Sequence, residues 1–179
     1  MPTFPVAETV TLSTGLLLGR LVLGLLMAAH GTQKLFAWFG GYGLAGTGGF
    51  MESLGFRPGA RFAAAAGLSE TAGGLLLAFG LFGPVGPALT LSVMIVAAVT
   101  VHWKNGVFAA ANGVEMPLLY AVGAATIALA GPGRFSLDAM LGLDALWTPV
   151  LVWAALGVGA IGAIGNLGLR RPVAAAAGD

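Results

Sequence analysis

The side chains that could do chemistry in this sequence are few, and most sit in apolar company. Arg20 and Glu70 each lie within a run of otherwise uncharged residues. A charge held inside a bilayer costs a few kcal/mol on insertion scales, about 3 for Arg or Asp at a helix centre, so both need a partner or a task. A second group follows the sequence as His30, Gln33 and Lys34, then His102, Lys104 and Asn105, then Glu115 and Tyr120. His30 and Gln33 are three residues apart, as are Glu115 and Leu118, so each pair shares a helix face. Turned inward, these faces would bring together two imidazoles, a carboxamide, an ammonium and one or two carboxylates. Such a pocket fits a polar headgroup or a quinone ring, with Glu70, His30, His102 and Glu115 as the proton-exchanging groups and Arg20, Gln33, Lys34 and Tyr120 as ligand contacts. The plainer reading is that His, Lys, Trp and Tyr at helix ends anchor the membrane interface, and it suits Trp103 and Lys104 best.

The elements that must position these groups are dictated by composition. Of 179 residues, 58% are hydrophobic and 8% charged, far below the roughly 25% charge of soluble domains. The chain is therefore expected to be all-α, a polytopic membrane helix bundle in contact with the lipid bilayer. A net charge of +1 spread over scattered residues offers no basic stripe, so nucleic acid is excluded as a partner. With no cysteine, disulfides, thiolate metal sites and thiol relays are excluded within the chain. Two histidines and a glutamate suffice for an open metal site, but no local ligand spacing supports one, and no metal is expected. No phosphate loop or nucleophile elbow is present.

Charge-poor runs of about 20 residues mark five spans: residues 12–35, 60–82, 84–103, 114–131 and 146–169. Gly83, Pro84 and Pro87 break the charge-free stretch 71–103 into a helical hairpin. Asn112 and Gly113 read as cap residues before the fourth span, and Gly131-Pro132-Gly133 ends it. Segment 36–59 is too glycine-rich to span and carries Trp38, Phe39, Tyr42 and Phe50, which suits an interfacial helix capped by Thr47, with a re-entrant loop as the alternative. Ser136 is expected to cap a short helix, and residues 170–179 read as a disordered tail after an N-terminal segment 1–11, a membrane domain 12–145 and an added helix 146–169. Gly15, Gly19, Gly24, Gly67, Gly73 and Gly74 predict close helix packing.

The first nineteen residues hold no Lys or Arg, which argues for a retained span rather than a cleaved signal. Five spans put Lys34, Arg57, Arg61, Lys104, Arg170 and Arg171 on one side and only Arg134 on the other, predicting an outside N-terminus and a cytoplasmic C-terminus. Antiparallel packing of the first two spans places Arg20 and Glu70 at matching depth, as a docking ion pair or with Glu70 as a proton-carrying or ligand-binding acid.

The order of these motifs resembles the DoxX family of small integral membrane proteins. The resemblance is carried by Gly19-Arg20-Leu21-Val22-Leu23-Gly24, by His30-Gly31-Thr32-Gln33-Lys34-Leu35-Phe36, by Gly40-Gly41-Tyr42-Gly43 and by Glu70-Thr71-Ala72-Gly73-Gly74. His102, Gly106 and Phe108, then Glu115 with Leu118, Leu119 and Tyr120, and the closing Gly131-Pro132-Gly133-Arg134-Phe135-Ser136-Leu137-Asp138 continue it. The resemblance implies a four-helix core, here with a fifth C-terminal transmembrane helix, and adds Asp138 to the ligand-binding residues. It implies a cell-membrane protein; the Ala- and Gly-rich composition points to a GC-rich bacterial source, and a bacterial inner membrane fits the positive-inside pattern. The function it implies is the membrane subunit of a quinone-linked oxidoreductase system, with a soluble redox partner protein supplying the electron-transfer chemistry this chain lacks and a homo-oligomer as a further possibility. Quinone is the cofactor so implied. The alternative is a non-catalytic scaffold or small-molecule carrier whose intramembrane charges serve packing or passage.

Overall fold

The computed structural model describes residues 6–171, with side chains from Val10 onward. Among these residues the chain is all helical. Helix α1 runs Val6–Phe36, α2 Gly43–Ser53, α3 Gly59–Phe79, α4 Val85–Ala97, α5 Glu115–Ala130, α6 Leu137–Leu141 and α7 Pro149–Gly168. Four stretches are long and apolar enough to cross a membrane: residues 10–36, 59–79, 85–105 and 149–168. The fourth expected span, α5, is apolar but only 16 residues long. The protein is a polytopic helical membrane bundle, and its outward-facing Leu, Val and Ile side chains contact lipid.

Helices α1 and α3 form the most extensive interface, and glycine makes it possible. A Cβ on Gly24 would stand 2.5 Å from the Gly74 carbonyl oxygen and the Ala78 nitrogen. Gly31 meets Gly67 and Thr71 in the same way. These contacts fix an antiparallel register in which residue 24 faces 74–78 and residue 31 faces 67–71. Gly73 turns instead to α4 beside Leu89 and Gly86, whereas Gly15 has no atom within 4 Å and plays no part in the packing.

The hairpin break falls where Gly, Pro and Pro predict it. Helix α3 ends on Gly80 at φ 62°, with the Gly80 N–H donating to Leu77 and the Leu81 N–H to Leu76, at 3.2 and 2.9 Å. This double bond satisfies carbonyls the helix end would otherwise leave open. Pro84 leads into α4, and Pro87 falls in its first turn. Ser136 caps α6 by accepting from the Ala139 N–H at 3.1 Å, as its sequence context predicts.

Two cap expectations are corrected. Helix α2 starts at Gly43, four residues before Thr47, and Thr47 is a buried residue within it. Val114 occupies the N-cap position of α5 with no side-chain cap bond, while Asn112 takes a left-handed φ of 61° in the preceding turn. Helix α4 also departs from a uniform α-helix, passing into a π-helical turn at Ala98–His102 and a 3-10 turn at Trp103–Asn105. Of the segment read as a tail, Arg170 donates from Nε to the Leu54 carbonyl at 2.9 Å and Arg171 from its N–H to Gly55 at 2.8 Å. The rest of that segment lies outside the described residues.

Candidate functional site

The register of α1 against α3 separates the two intramembrane charges. Arg20 stands level with residues 78–80 and Glu70 level with residues 30–31, about 15 Å apart along the axis at about 1.5 Å per residue. The expected Arg20–Glu70 pair therefore does not form. Depth counted from the apparent ends of the two spans brings the charges level, but the glycine contacts set a different register.

Arg20, 1% exposed, serves the end of α3. Its Nη1 donates to the Ala78 carbonyl at 3.3 Å and its Nη2 to the Phe135 carbonyl at 2.8 Å. A guanidinium at a helix C-terminus meets the negative end of the helix dipole and its unpaired carbonyls. Asp138 works beside it on the adjoining turn. Its Oδ1 accepts from the Phe82 N–H at 2.9 Å, and its Oδ2 accepts from the Gly83 N–H at 2.6 Å and from Trp147 Nε1 at 2.9 Å. A cavity of about 600 Å³ opens at this Arg20 end. Both Nη atoms of Arg20 and both carboxylate oxygens of Asp138 are committed to closing loops, while Arg20 Nε is buried without a hydrogen-bond partner among the described residues, so the end reads as a structural knot.

At the opposite end of α1 the sequence-predicted groups converge. A cavity of about 430 Å³ is walled by α1 to α5 and lined by His30, Lys34, Glu70, His102 and Tyr120. Glu70, 2% exposed, accepts at Oε2 from Lys34 Nζ at 2.5 Å. Lys34 reaches Glu70 because residues 31 and 34 lie on one face of α1 and Gly31 lets α3 approach. The His30 ring stands edge-on to Tyr120, 5.9 Å between centroids. His102 Nδ1 lies 2.8 Å from the Asn112 carbonyl oxygen, held there by the π-helical turn that ends α4. Such turns recur at functional sites because the inserted residue re-aims the side chains after it.

Besides Arg20 and Asp138 at the other end, which the sequence reading took as ligand contacts, two more predicted residues lie outside this cavity. Glu115 turns to its own loop, where Oε2 accepts from the Ala109 N–H at 2.7 Å. Gln33 does not line this cavity; it supports His30 from the side, with Oε1 3.1 Å from His30 Nδ1 and Nε2 donating to the Phe39 carbonyl at 3.1 Å. The structure also adds residues that sequence reading passed over. Helix α2 covers the cavity with Thr47, Phe50, Met51 and Leu54, and Met94 and Met116 line it from α4 and α5. The three- and four-residue spacing from Thr47 to Leu54 carried that signal as one face of an amphipathic helix. Among the described residues, no three of His, Asp and Glu gather as metal ligands would.

The arrangement is an apolar, Met- and aromatic-walled chamber with a buried ion pair and two imidazoles at its polar end. It can hold a flat or flexible lipophilic molecule and exchange protons with its polar head. No curated protein and no solved structure matches the chain. The DoxX family model matches residues 15–103, about half of the chain, from the first turns of α1 to the end of the π-helical turn of α4. That span contains Arg20, His30, Lys34, Glu70 and His102, and this polytopic membrane protein belongs to the DoxX family.

Proposed function

We propose that the His30-end cavity binds the head of a quinone-type lipid and that the protein is the membrane subunit of a quinone-linked oxidoreductase system. The observation that carries this reading is Glu70, a carboxylate buried in a largely apolar chamber and held by one ammonium. An acid kept at that depth is a functional candidate by default. The residues fit the group. A volume of about 430 Å³ lies in the range of ligand sites, roughly 300 to 1,000 Å³. Phe50, Met51 and Met94 supply an adaptable apolar wall, while His30, His102 and Tyr120 supply polar contacts to the hydroxyls of the reduced ring.

A quinone, when bound, supplies two-electron chemistry coupled to two protons within the membrane. The chain's own residues handle the protons. Glu70 holds or releases one at its carboxylate, with Lys34 stabilising the charged form. His30 and His102 hold or accept one at an imidazole nitrogen. With no cysteine, the chain depends on a soluble partner for electron entry. An outside N-terminus and a cytoplasmic C-terminus would then put the cavity toward the cytoplasm, the side of the Lys and Arg excess. A scaffold or carrier role is supported by the Arg20 end, where both Nη atoms of Arg20 and both oxygens of Asp138 serve loop closure.

The test is native mass spectrometry of protein gently extracted from its own membrane, with and without Glu70→Gln or His30→Ala. A retained quinone that both variants lose supports the reading. Bare protein, with no thermal stabilisation by added quinones, refutes it and favours the scaffold or carrier.

A further inference from the structure

We infer that the His30-end cavity is built to accept hydrogen bonds, and so selects a lipophilic phenol or hydroquinone over the same molecule without its hydroxyl hydrogens. This rests on the reading of that cavity as a ligand site and names the chemical class it takes. The argument begins with the partners of the two imidazoles. His102 Nδ1 lies 2.8 Å from the Asn112 carbonyl oxygen, which can only accept, so Nδ1 carries the hydrogen. Asn105 Nδ2 donates to the same carbonyl at 3.1 Å and holds it in place.

His30 is set one step less directly. The Gln33 amide group donates from Nε2 to the Phe39 carbonyl at 3.1 Å. The reversed amide would bring two carbonyl oxygens together, so the orientation is fixed. Gln33 Oε1 therefore faces His30 Nδ1, 3.1 Å away, as an acceptor, and His30 Nδ1 also carries the hydrogen. A neutral imidazole with hydrogen on Nδ1 has a lone pair on Nε2. Neither Nε2 has a hydrogen-bond partner among the described residues.

Among the remaining polar groups of the cavity, Glu70 adds an acceptor, the Thr100 hydroxyl is spent on the Val96 carbonyl at 2.8 Å, and Lys34, Thr47 and Tyr120 carry hydrogens. Glu70 uses Oε2 for Lys34, and its Oε1 is a further acceptor. The Lys34 ammonium is directed to Glu70 and to the His30 carbonyl at 3.5 Å. Tyr120 can both donate and accept. The chamber thus offers two imidazole nitrogens and a carboxylate oxygen to a ligand whose body must suit Met and Phe walls. A hydroxylated aromatic ring on an alkyl chain meets both demands. Gln33 and Asn105 are positioning residues, acting through the rings they set.

The experiment compares a long-chain alkylresorcinol with its dimethyl ether, binding to the full chain in nanodiscs well above the imidazole titration range. The resorcinol is expected to bind about tenfold tighter, the worth of one or two net hydrogen bonds. Nitrogen NMR of labelled histidine should show both rings with hydrogen on Nδ1 only. In Gln33→Leu, His30 should lose that single form while His102 keeps it, and the preference for resorcinol should fall several-fold. Equal binding of resorcinol and ether, or a neutral ring with its hydrogen on Nε2, overturns acceptor selection while leaving the ligand site standing. If neither compound binds or stabilises the protein, the ligand-site reading falls and takes this inference with it.

Discussion

Removing the ammonium that holds Glu70 is the sharpest perturbation the structure offers. In Lys34→Met the carboxylate keeps its 2% exposure but loses its 2.5 Å partner. Breaking a buried pair from one side costs about 3 to 5 kcal/mol. Lys34 is about one-quarter exposed, so water reaches its side of the pair, and a cost at or just below the lower end, about 2 to 3 kcal/mol, is expected. Glu70→Gln should cost less, about 1 kcal/mol, since the lysine stem can carry its charge to the interface. The double variant should then cost less than the sum, with a coupling of about 1.5 kcal/mol or more. The register of α1 on α3 makes the contrasting statement for Arg20. At about 15 Å from Glu70 it shares no partner with it, so an Arg20 and Glu70 cycle should be additive within about 0.5 kcal/mol. Both cycles can be read from denaturing-detergent titration in mixed micelles, followed by tryptophan fluorescence. A strong Arg20–Glu70 coupling beside an additive Lys34–Glu70 cycle would refute the register and the site built on it.

Other outcomes follow from the same contacts. Gly24→Val should disrupt the α1–α3 interface, where even a Cβ meets the Gly74 backbone at 2.5 Å, while Gly15→Val, with open space around it, should leave the unfolding midpoint unchanged. Gly80→Ala places a side chain at φ 62° against Arg20 and Ser136, and a loss of about 1 to 3 kcal/mol is expected in the same titration. Asp138→Ala strips acceptors from the Phe82 and Gly83 N–H groups and from Trp147, for about 2 to 4 kcal/mol and a changed Trp147 emission; an unaltered spectrum would contradict the bond to the indole. Tags at the two chain ends should be accessible from opposite sides of the membrane, and a cytoplasmic N-terminus would overturn the orientation drawn from the basic residues.

Much of this architecture is legible in the sequence because the bilayer reduces it to few variables. Span length, the Gly83-Pro84 break and the Ser136 cap are local signals, and local signals survive folding. The grouping of His30, Lys34, His102 and Tyr120 at one end also follows from their positions at helix ends. What the sequence conceals is relative sliding between helices. A shift of a few residues between α1 and α3 decides whether Glu70 meets Arg20 or Lys34, and only the backbone contacts of Gly24 and Gly31 fix it. The π-helical turn that aims His102 is hidden for a related reason, since Ala98–His102 reads as ordinary helix. The place of Glu115 is hidden too, because the backbone donor it takes, on Ala109, opens a single 3-10 turn too short to leave a periodic signal.

The latch made by Arg170 and Arg171 has a consequence for how the protein is built. Helix α7 lies wholly beyond the family-matched segment, packs along α4, and ends with Arg170 bonded to Leu54 and Arg171 to Gly55. Chains are made from the N-terminus, so α1 to α5 reach the membrane while the α4 face destined for α7 is still bare. The loop after α2, at the rim of the chamber, gains these two hydrogen bonds only once residues 170 and 171 have been made. The order of synthesis thus predicts that α7 closes over α4 and ties down the α2–α3 loop after the other helices are in place, so a chain ending before residue 170 should keep α1 to α5 but lose both bonds to that loop.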